Sequence, residues 1–294
     1  MLWRVKKDEW FSKNNSRRSI SPPYDYRHEL VSRLFTLYKS KKPVHQGYTN
    51  RLKKIAANIE VFLRAGVDAI MGKIEEDLTW NAVKEAEDRT GVKCIIVSTP
   101  AIPVTPRTLV DIFDMNEVER ILDHEVERGA TFCLPHTSTT DKPVDRCTRE
   151  IRRMDELCAA IRERGLIPGL SIHLPEAIVY ANETNLDVET YISMYNAMGF
   201  LMSIEVDWVT RLIQRAKKAV MTIKPMAAGQ LRPLQALTFV WNTIREKDMV
   251  TVGTMSPEEA EELIELSLSI LEKRASALEL QETRSKETVK SILD

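Results

Sequence analysis

The sequence predicts an α/β protein built on a closed (β/α)8, or TIM, barrel with N- and C-terminal extensions. Three observations carry that prediction. The first is a join written four times, in RAGVDAIMG (64–72), RTGVKCIIVS (89–98), ERGATFCLP (127–135) and ERGLIPGLSIH (163–173). In each, a polar helical stretch ends in a basic residue and glycine, and a short apolar run follows. Glycine supplies the left-handed residue that ends a helix, and the basic side chains suit the negative end of its dipole. The second observation is that these runs are apolar without alternation, as strands are when both faces are buried in a parallel sheet. The third is the lack of any GxGxxG or GxxxxGK[ST], which an open doubly wound nucleotide-binding sheet usually carries after its first strand.

The elements follow in order. Residues 1–41 do not fit the repeat: they are basic and polar, hold SPPYDYRHE in their middle and predict a short helix at 28–39. A strand must precede the helix at 50–64, whose Leu52, Ile55, Ile59, Phe62 and Leu63 form one apolar stripe, and KPVHQGY (42–48) is its candidate. Strands then follow each of the four joins. Asp114-Met115-Asn116-Glu117 has the form of a capping box that opens a helix. Cys147, Ile151, Met154, Cys158 and Ile161 are spaced as one helix face. TYISMYN (190–196) is a further strand. Two joins keep the logic without glycine, RAKKAVMTIKPMAAG (215–229) and REKDMVTVGTMS (245–256). The second runs into Ser256-Pro257-Glu258-Glu259, a capping box with proline at the first helical position. The barrel therefore spans 42–274, and residues 275–294 read as a helical extension. Both extensions are expected to pack on the barrel, with a homodimer contact as the alternative.

Composition narrows the classes of function. In 294 residues, 42 basic side chains balance 43 acidic ones, so no phosphate-binding excess points to nucleic acid. No apolar run approaches a membrane span, and the first residues, MLWRVKKDEWFSKNN, lack the apolar core of a signal peptide. A soluble cytoplasmic protein is expected. Cysteines 94, 133, 147 and 158 have no zinc or cluster spacing and read as buried small hydrophobes in a reducing compartment.

In such barrels the chemistry sits in the loops after the carboxyl ends of the strands. That rule makes His136, His173 and Lys224 the candidate catalytic residues. Ser171, Tyr195, Asn196 and Glu76 are the candidates for binding substrate, and Lys73, Ser98 and Thr99 stand at further strand ends. His136 reads as an acid, base or oxyanion donor, or as a hydrogen-bonded structural imidazole. Lys224 reads as an imine-forming or anion-binding amine, or as a rim salt bridge. Gly229 in AAGQL and Gly253, Thr254 and Ser256 in GTMS could offer backbone N–H groups to an anion at helix starts, or serve only turns and caps. A metal held by His136 and His173 is conceivable in principle, but no third ligand can be picked.

Residues 154–270 resemble the aldo-keto reductase superfamily. MDELCAAIRERGLIPGLSIHLPEAI resembles its helix leading into the fifth strand, and YISMYNAMG its sixth strand with a Tyr-Asn pair. IKPMAAGQL and VTVGTMSPEEAEELI resemble its seventh and eighth strands. The resemblance implies a barrel that reduces carbonyls with NADPH through Asp, Tyr, Lys and His. At the corresponding places stand Met71, Glu76, Ser98 with Thr99, and His136, so only the histidine is kept. The nicotinamide and adenosine-phosphate contacts fall on Ile172, Ile192, Ile223, Glu258, Glu259 and Glu261, with Ser171 the sole match. The expectation is an aldo-keto-reductase-like barrel that binds or acts on a small anionic or carbonyl metabolite without NADPH. The alternatives are an NAD(P)H-dependent oxidoreductase with another proton donor, a metal-dependent enzyme using His136 and His173, and a non-catalytic small-molecule-binding barrel.

Overall fold

The computed structural model describes residues 34–37, 48–105 and 112–278. Eight parallel strands close into a barrel: β1 (Leu34–Leu37), β2 (Ala69–Gly72), β3 (Ile95–Ser98), β4 (Phe132–Cys133), β7 (Ile167–Ile172), β8 (Thr190–Met194), β9 (Ala219–Ile223) and β10 (Met249–Val252). The short strands β5 (Val144–Asp145) and β6 (Glu150–Ile151) form an antiparallel hairpin inserted after β4. The connecting helices are α1 (Tyr48–Arg64), α2 (Asp77–Thr90), α3 (Met115–Glu127), the single turn α4 (Thr137–Thr140), α5 (Met154–Glu163), α6 (Glu176–Glu183), α7 (Val206–Arg215), α8 (Pro233–Thr243) and α9 (Pro257–Leu271).

The glycine joins behave as the sequence predicts. Gly66, Gly91, Gly129 and Gly165 all have φ between 70° and 87°, the left-handed region that ends a helix without a Cβ penalty. Where the join lacks glycine, another device serves. At the start of β10, Asp248 is fully buried and accepts hydrogen bonds from the Val220 N–H and from the Arg245 backbone and guanidinium. Arg245 in turn donates to the Ala216 and Lys218 carbonyls, tying the chain before β10 to the chain before β9.

Alternation sorts the barrel residues onto two faces. Ala69, Met71, Ile95, Val97, Phe132, Leu134, Ile167, Ile192, Met221 and Met249 pack together inside the barrel. The other parity, including Leu170, Ile172, Tyr191, Tyr195, Val220 and Val250, packs outward against the helices. Gly169 on β7 belongs to the inner face. A Cβ there would lie 2.7 Å from both Leu134 Cγ and the Thr190 carbonyl oxygen, so the close approach of β4, β7 and β8 depends on it.

Two sequence expectations are corrected. The first strand is Leu34–Leu37, inside the span read as a helix at 28–39, where it pairs with β10 on one side and β2 on the other. A helix there would leave two strand edges unpaired, so closure of the barrel overrides the local pattern. Tyr48 begins α1, and the rest of the candidate strand at 42–48 lies outside the described residues, as does the extension from 279 onward. The second correction concerns Cys147, which is exposed in the hairpin turn rather than buried on a helix. Asp145 accepts the Cys147 and Thr148 N–H groups and pairs with Arg152, and this Asx turn wins over the helical spacing. Cys94 is half-buried, and Cys133 and Cys158 are buried.

Candidate functional site

The loop after β4, PHTSTTD (135–141), is held by several side-chain hydrogen bonds. The His136 N–H donates to the Pro100 carbonyl at 2.8 Å, which carries the β3–β4 pairing past the strand ends. Thr139 bonds both ways with Ile102, its Oγ1 accepting from the N–H at 2.9 Å and donating to the carbonyl at 2.7 Å. Thr140 Oγ1 donates to the Pro135 carbonyl, and Thr137 Oγ1 donates to Asp141 at 2.5 Å. The Asp141 carboxylate also accepts the N–H groups of His173 and Leu174. The hydroxyl cluster thus pins the β4 loop to the loop after β3 on one side and to the end of β7 on the other.

This frame fixes His136. It caps α4, its Nδ1 accepting from the Ser138 N–H at 3.2 Å and lying 2.9 Å from the Ser138 hydroxyl. An N–H donor at Nδ1 requires a lone pair there, so the neutral ring carries its proton on Nε2. His136 continues the inner parity of Phe132 and Leu134, and the ring is half-buried. His173 likewise continues the parity of Ile167, Gly169 and Ser171, one strand over in the barrel order. Its backbone is held by Asp141, and its carbonyl accepts from Ser203 Oγ at 3.3 Å. Ser171 is buried.

Lys224 follows β9 in a left-handed conformation, φ 61°, which is unusual for a side chain with a Cβ. Its Nζ lies 3.6 Å from the thioether sulfur of Met194, the last residue of β8. Because Met194 shares the inward parity of Ile192, the ammonium is brought to the barrel mouth. His136, His173 and Lys224 therefore stand over β4, β7 and β9, and Met194 completes the arc on β8.

The other candidates go elsewhere. Tyr195 is fully buried on the outward face; its hydroxyl lies 2.6 Å from Thr210 Oγ1 on α7 and its ring packs against Phe239. Asn196 shapes its own loop, accepting from Met198 and Phe200 N–H and donating to the Phe200 carbonyl. Glu76 is exposed at the start of α2. The Gly229 N–H donates to the Met226 carbonyl within a turn that also holds Ala227 and Ala228 at positive φ. At α9, Ser256 Oγ accepts the Glu259 N–H, and the Glu259 carboxylate accepts the Met255 N–H. Gly253 is exposed and Thr254 buried beside this capped start, where two carboxylates already occupy the first turn.

Three residues escaped sequence reasoning. Asp141 and Asp248 are the polar clamps described above. Glu125 on α3 is completely buried, accepts from Ser98 Oγ at 2.5 Å, and is pushed up to about 7 by desolvation. Its signal was present: Val118, Leu122 and Glu125 share one helix face, so a carboxylate stands on an apolar stripe. Ser98 consequently points outward to α3, away from the mouth.

The positions that the resemblance assigns to cofactor contacts are mostly apolar. Met71 and Ile192 belong to the apolar interior with Ile223 packed against them, and Ile172 faces the helices. The start of α9 presents Glu258 and Glu259 where a phosphate would need cations. Among the described residues no three His, Cys, Asp or Glu side chains are grouped to hold a metal. None of the helices among them is long and apolar enough to cross a membrane.

No family model matches the sequence. No curated protein matches it either. Solved structures do match by fold. A provisionally assigned aldo-keto reductase from Pseudomonas aeruginosa superposes with a TM-score of 0.59 at 15% identity, over 81% of this chain and 91% of that one. Aldose reductase from Giardia lamblia gives 0.51 at 10% identity, over 87% and 90%. Orotidine 5'-monophosphate decarboxylase from Methanocaldococcus jannaschii gives 0.50 at 14% identity, over 80% and 97%.

Proposed function

We propose, from the premise that the chain is a divergent aldo-keto-reductase-like (β/α)8 barrel, that its mouth binds a small anionic or carbonyl metabolite. In this reading Lys224 supplies the cation and His136 the hydrogen-bond donor. The observation that carries the reading is the placement of Lys224: a left-handed backbone, a strain kept where surroundings over-determine it, sets its ammonium against Met194 at the mouth. His136, as the Nε2–H tautomer, is a donor to a carbonyl or carboxylate oxygen rather than a base. His173 and Ser171 line the neighbouring strand end.

The residues speak against a standard NADPH-dependent reductase. Hydride transfer to a carbonyl needs a matched proton donor. The positions that would supply and tune it hold a core methionine, an exposed glutamate and a serine bonded to Glu125. A protein that keeps the pocket and has lost turnover is the second reading, favoured by that same replacement.

Calorimetric titration with NADPH, followed by a thermal-shift panel of small 2-oxo acids, dicarboxylates and sugar phosphates, tests both. The expected result is no heat with NADPH and saturable stabilisation by one anionic class, lost in Lys224→Met. Micromolar NADPH binding would overturn the reading, as would an anion response indifferent to Lys224→Met. Turnover of the stabilising compound separates the enzyme from the binding protein.

A further inference from the structure

We propose that the outward face of α7 joins two copies of this chain about a two-fold axis. Exposed apolar side chains are the first observation. Trp208 on α7 is 60% exposed, whereas the other described tryptophans, Trp80 and Trp241, are half-buried and buried. In the loop that leads into α7, Met198 and Leu201 are 51% and 55% exposed. That loop is fixed by its own hydrogen bonds. Asn196 Oδ1 accepts the Met198 and Phe200 N–H groups, and the Met202 N–H donates to the Gly199 carbonyl at 3.0 Å. Apolar side chains held in water by an ordered loop beside an exposed tryptophan have the composition of an interface centre.

The charges on the same helix are the second observation. Arginines elsewhere in the fold, such as Arg64, Arg120, Arg162 and Arg274, are paired with carboxylates. Arg211 and Arg215 on α7 have no ion pair or side-chain hydrogen bond among the described residues, and neither do the carboxylates of Glu205 and Asp207. Unmatched charges of both signs therefore flank the exposed tryptophan. Val209 and Ile213 are the buried residues of the helix. At about 3.6 residues per turn, Trp208, Arg211 and Arg215 then share the opposite face. Asp207 lies on one flank of that face, and Leu212 and Glu205 lie on the other.

This order is self-complementary. When α7 packs antiparallel to its copy, with the two-fold axis level with Thr210, each flank meets the same flank of the partner. Trp208 then faces the partner's Leu212, and Glu205 faces the partner's Arg215. On the other flank Arg211 comes within reach of the partner's Asp207. A second copy is the occupant that the charges select, because a purely basic or purely acidic partner would match one pair and repel the other. Residues 1–33 of the chain itself carry a basic excess, the wrong sign for Arg211 and Arg215. A ten-residue helix spans only about 15 Å, so even with Met198 and Leu201 added the interface is small and a dissociation constant of about micromolar order is expected.

The test is sedimentation of the full chain over about 1–200 μM, where the mass should rise from one chain towards two. Trp208→Ala should raise the dissociation constant about 30-fold or more. Arg215→Glu and Glu205→Arg should each abolish self-association, because each sets like charges together on both sides of the axis. An equimolar mixture of these two variants should associate again, since in the mixed dimer both positions regain unlike charges. Circular dichroism checks that each variant is folded; should a charge variant not fold, Trp208→Ala carries the test. Three results would each overturn the proposal: a chain that stays monomeric across the range, a dimer indifferent to Trp208→Ala and Arg215→Glu, or folded charge variants that stay apart when mixed.

Discussion

Replacing Asp248 by alanine removes four hydrogen bonds at once: from the Val220 N–H at 2.9 Å, the Arg245 N–H at 2.9 Å, Arg245 Nε at 2.8 Å and Arg245 Nη2 at 2.7 Å. The site is dry on the aspartate side, since Asp248 is 0% exposed and Arg245 only 15% exposed along its side chain. Charge-assisted bonds of this kind are each worth about 1.5–3 kcal/mol when removed singly. They do not add here, because Arg245 keeps its bonds to the Ala216 and Lys218 carbonyls and can draw water to its exposed edge. What cannot be repaired is the Val220 N–H inside the sheet and the guanidinium face turned inward. Breaking one partner of a buried pair costs about 3–5 kcal/mol, and that is the expected loss for Asp248→Ala.

Asp248→Asn is the sharper comparison, because it keeps the shape. The carboxylate presents an acceptor on both oxygens, each facing two N–H groups; an amide offers one acceptor and must turn its NH2 against donors on the other side. Its cost should approach that of alanine. Urea unfolding followed by circular dichroism measures both. With a slope of about 3 kcal/mol per M, Asp248→Ala moves the midpoint down by about 1–1.7 M. In the double variant with Arg245→Ala, the losses should fall short of their sum by about 2 kcal/mol or more, because the second substitution removes the stranded charge. A loss below about 1 kcal/mol for Asp248→Ala at an unchanged slope, or strict additivity of the pair, would refute the clamp as the device that replaces glycine at this join.

Three other predictions follow from single observations. Gly169→Ala should destabilise the barrel by about 1–3 kcal/mol by urea unfolding, because Leu134 can shift but the Thr190 carbonyl 2.7 Å away is backbone. Glu125→Gln should reverse sign with pH. The folded carboxyl stands near 7 against an ordinary 4.5, so the native state of the wild type holds the extra proton. Its stabilising effect is therefore full below about pH 4.5 and is lost as pH rises through 7, by about 3 kcal/mol in all. Unfolding at pH 5 and pH 8 should show the wild type losing stability between them and the variant nearly flat. Lys224→Met should weaken any anionic ligand found by thermal shift about 10- to 100-fold, the equivalent of one charge-assisted bond.

The barrel was legible because its punctuation is local. A left-handed glycine needs no distant partner to be recognised, and every strand placed after such a join is where the sequence puts it. The first strand depends on something the local pattern does not contain. Leu34–Leu37 is extended because β10 and β2 lie on either side with unpaired backbone groups, and those strands are about 35 and 215 residues away. Cys147 failed for the opposite reason: helical spacing is a weak preference, and one carboxylate, Asp145, holding two backbone N–H groups defeated it.

The candidate site was legible to the level of strand ends and not to the level of faces. Being last in a strand says that a residue is near the mouth; which way it points follows from parity. His136, His173 and Ser171 share the parity of residues now seen inside the barrel, whereas Tyr195 and Ser98 have the other and point into the helices. One inward residue per strand would have fixed these five, because the period of a strand is two, but not Lys224, which by count from Met221 falls outward and meets Met194 only with a left-handed backbone after β9. In strands apolar on both faces, such as ATFCL or TYISM, the sequence offers no residue to set that origin. The glycine of ERGLIPGLSIH could have served: Gly169 is small because it lies where β4, β7 and β8 crowd together inside the barrel. That places Ser171 and His173 inward by the same count, and sets the histidine beside the Thr137–Asp141 frame that holds its backbone.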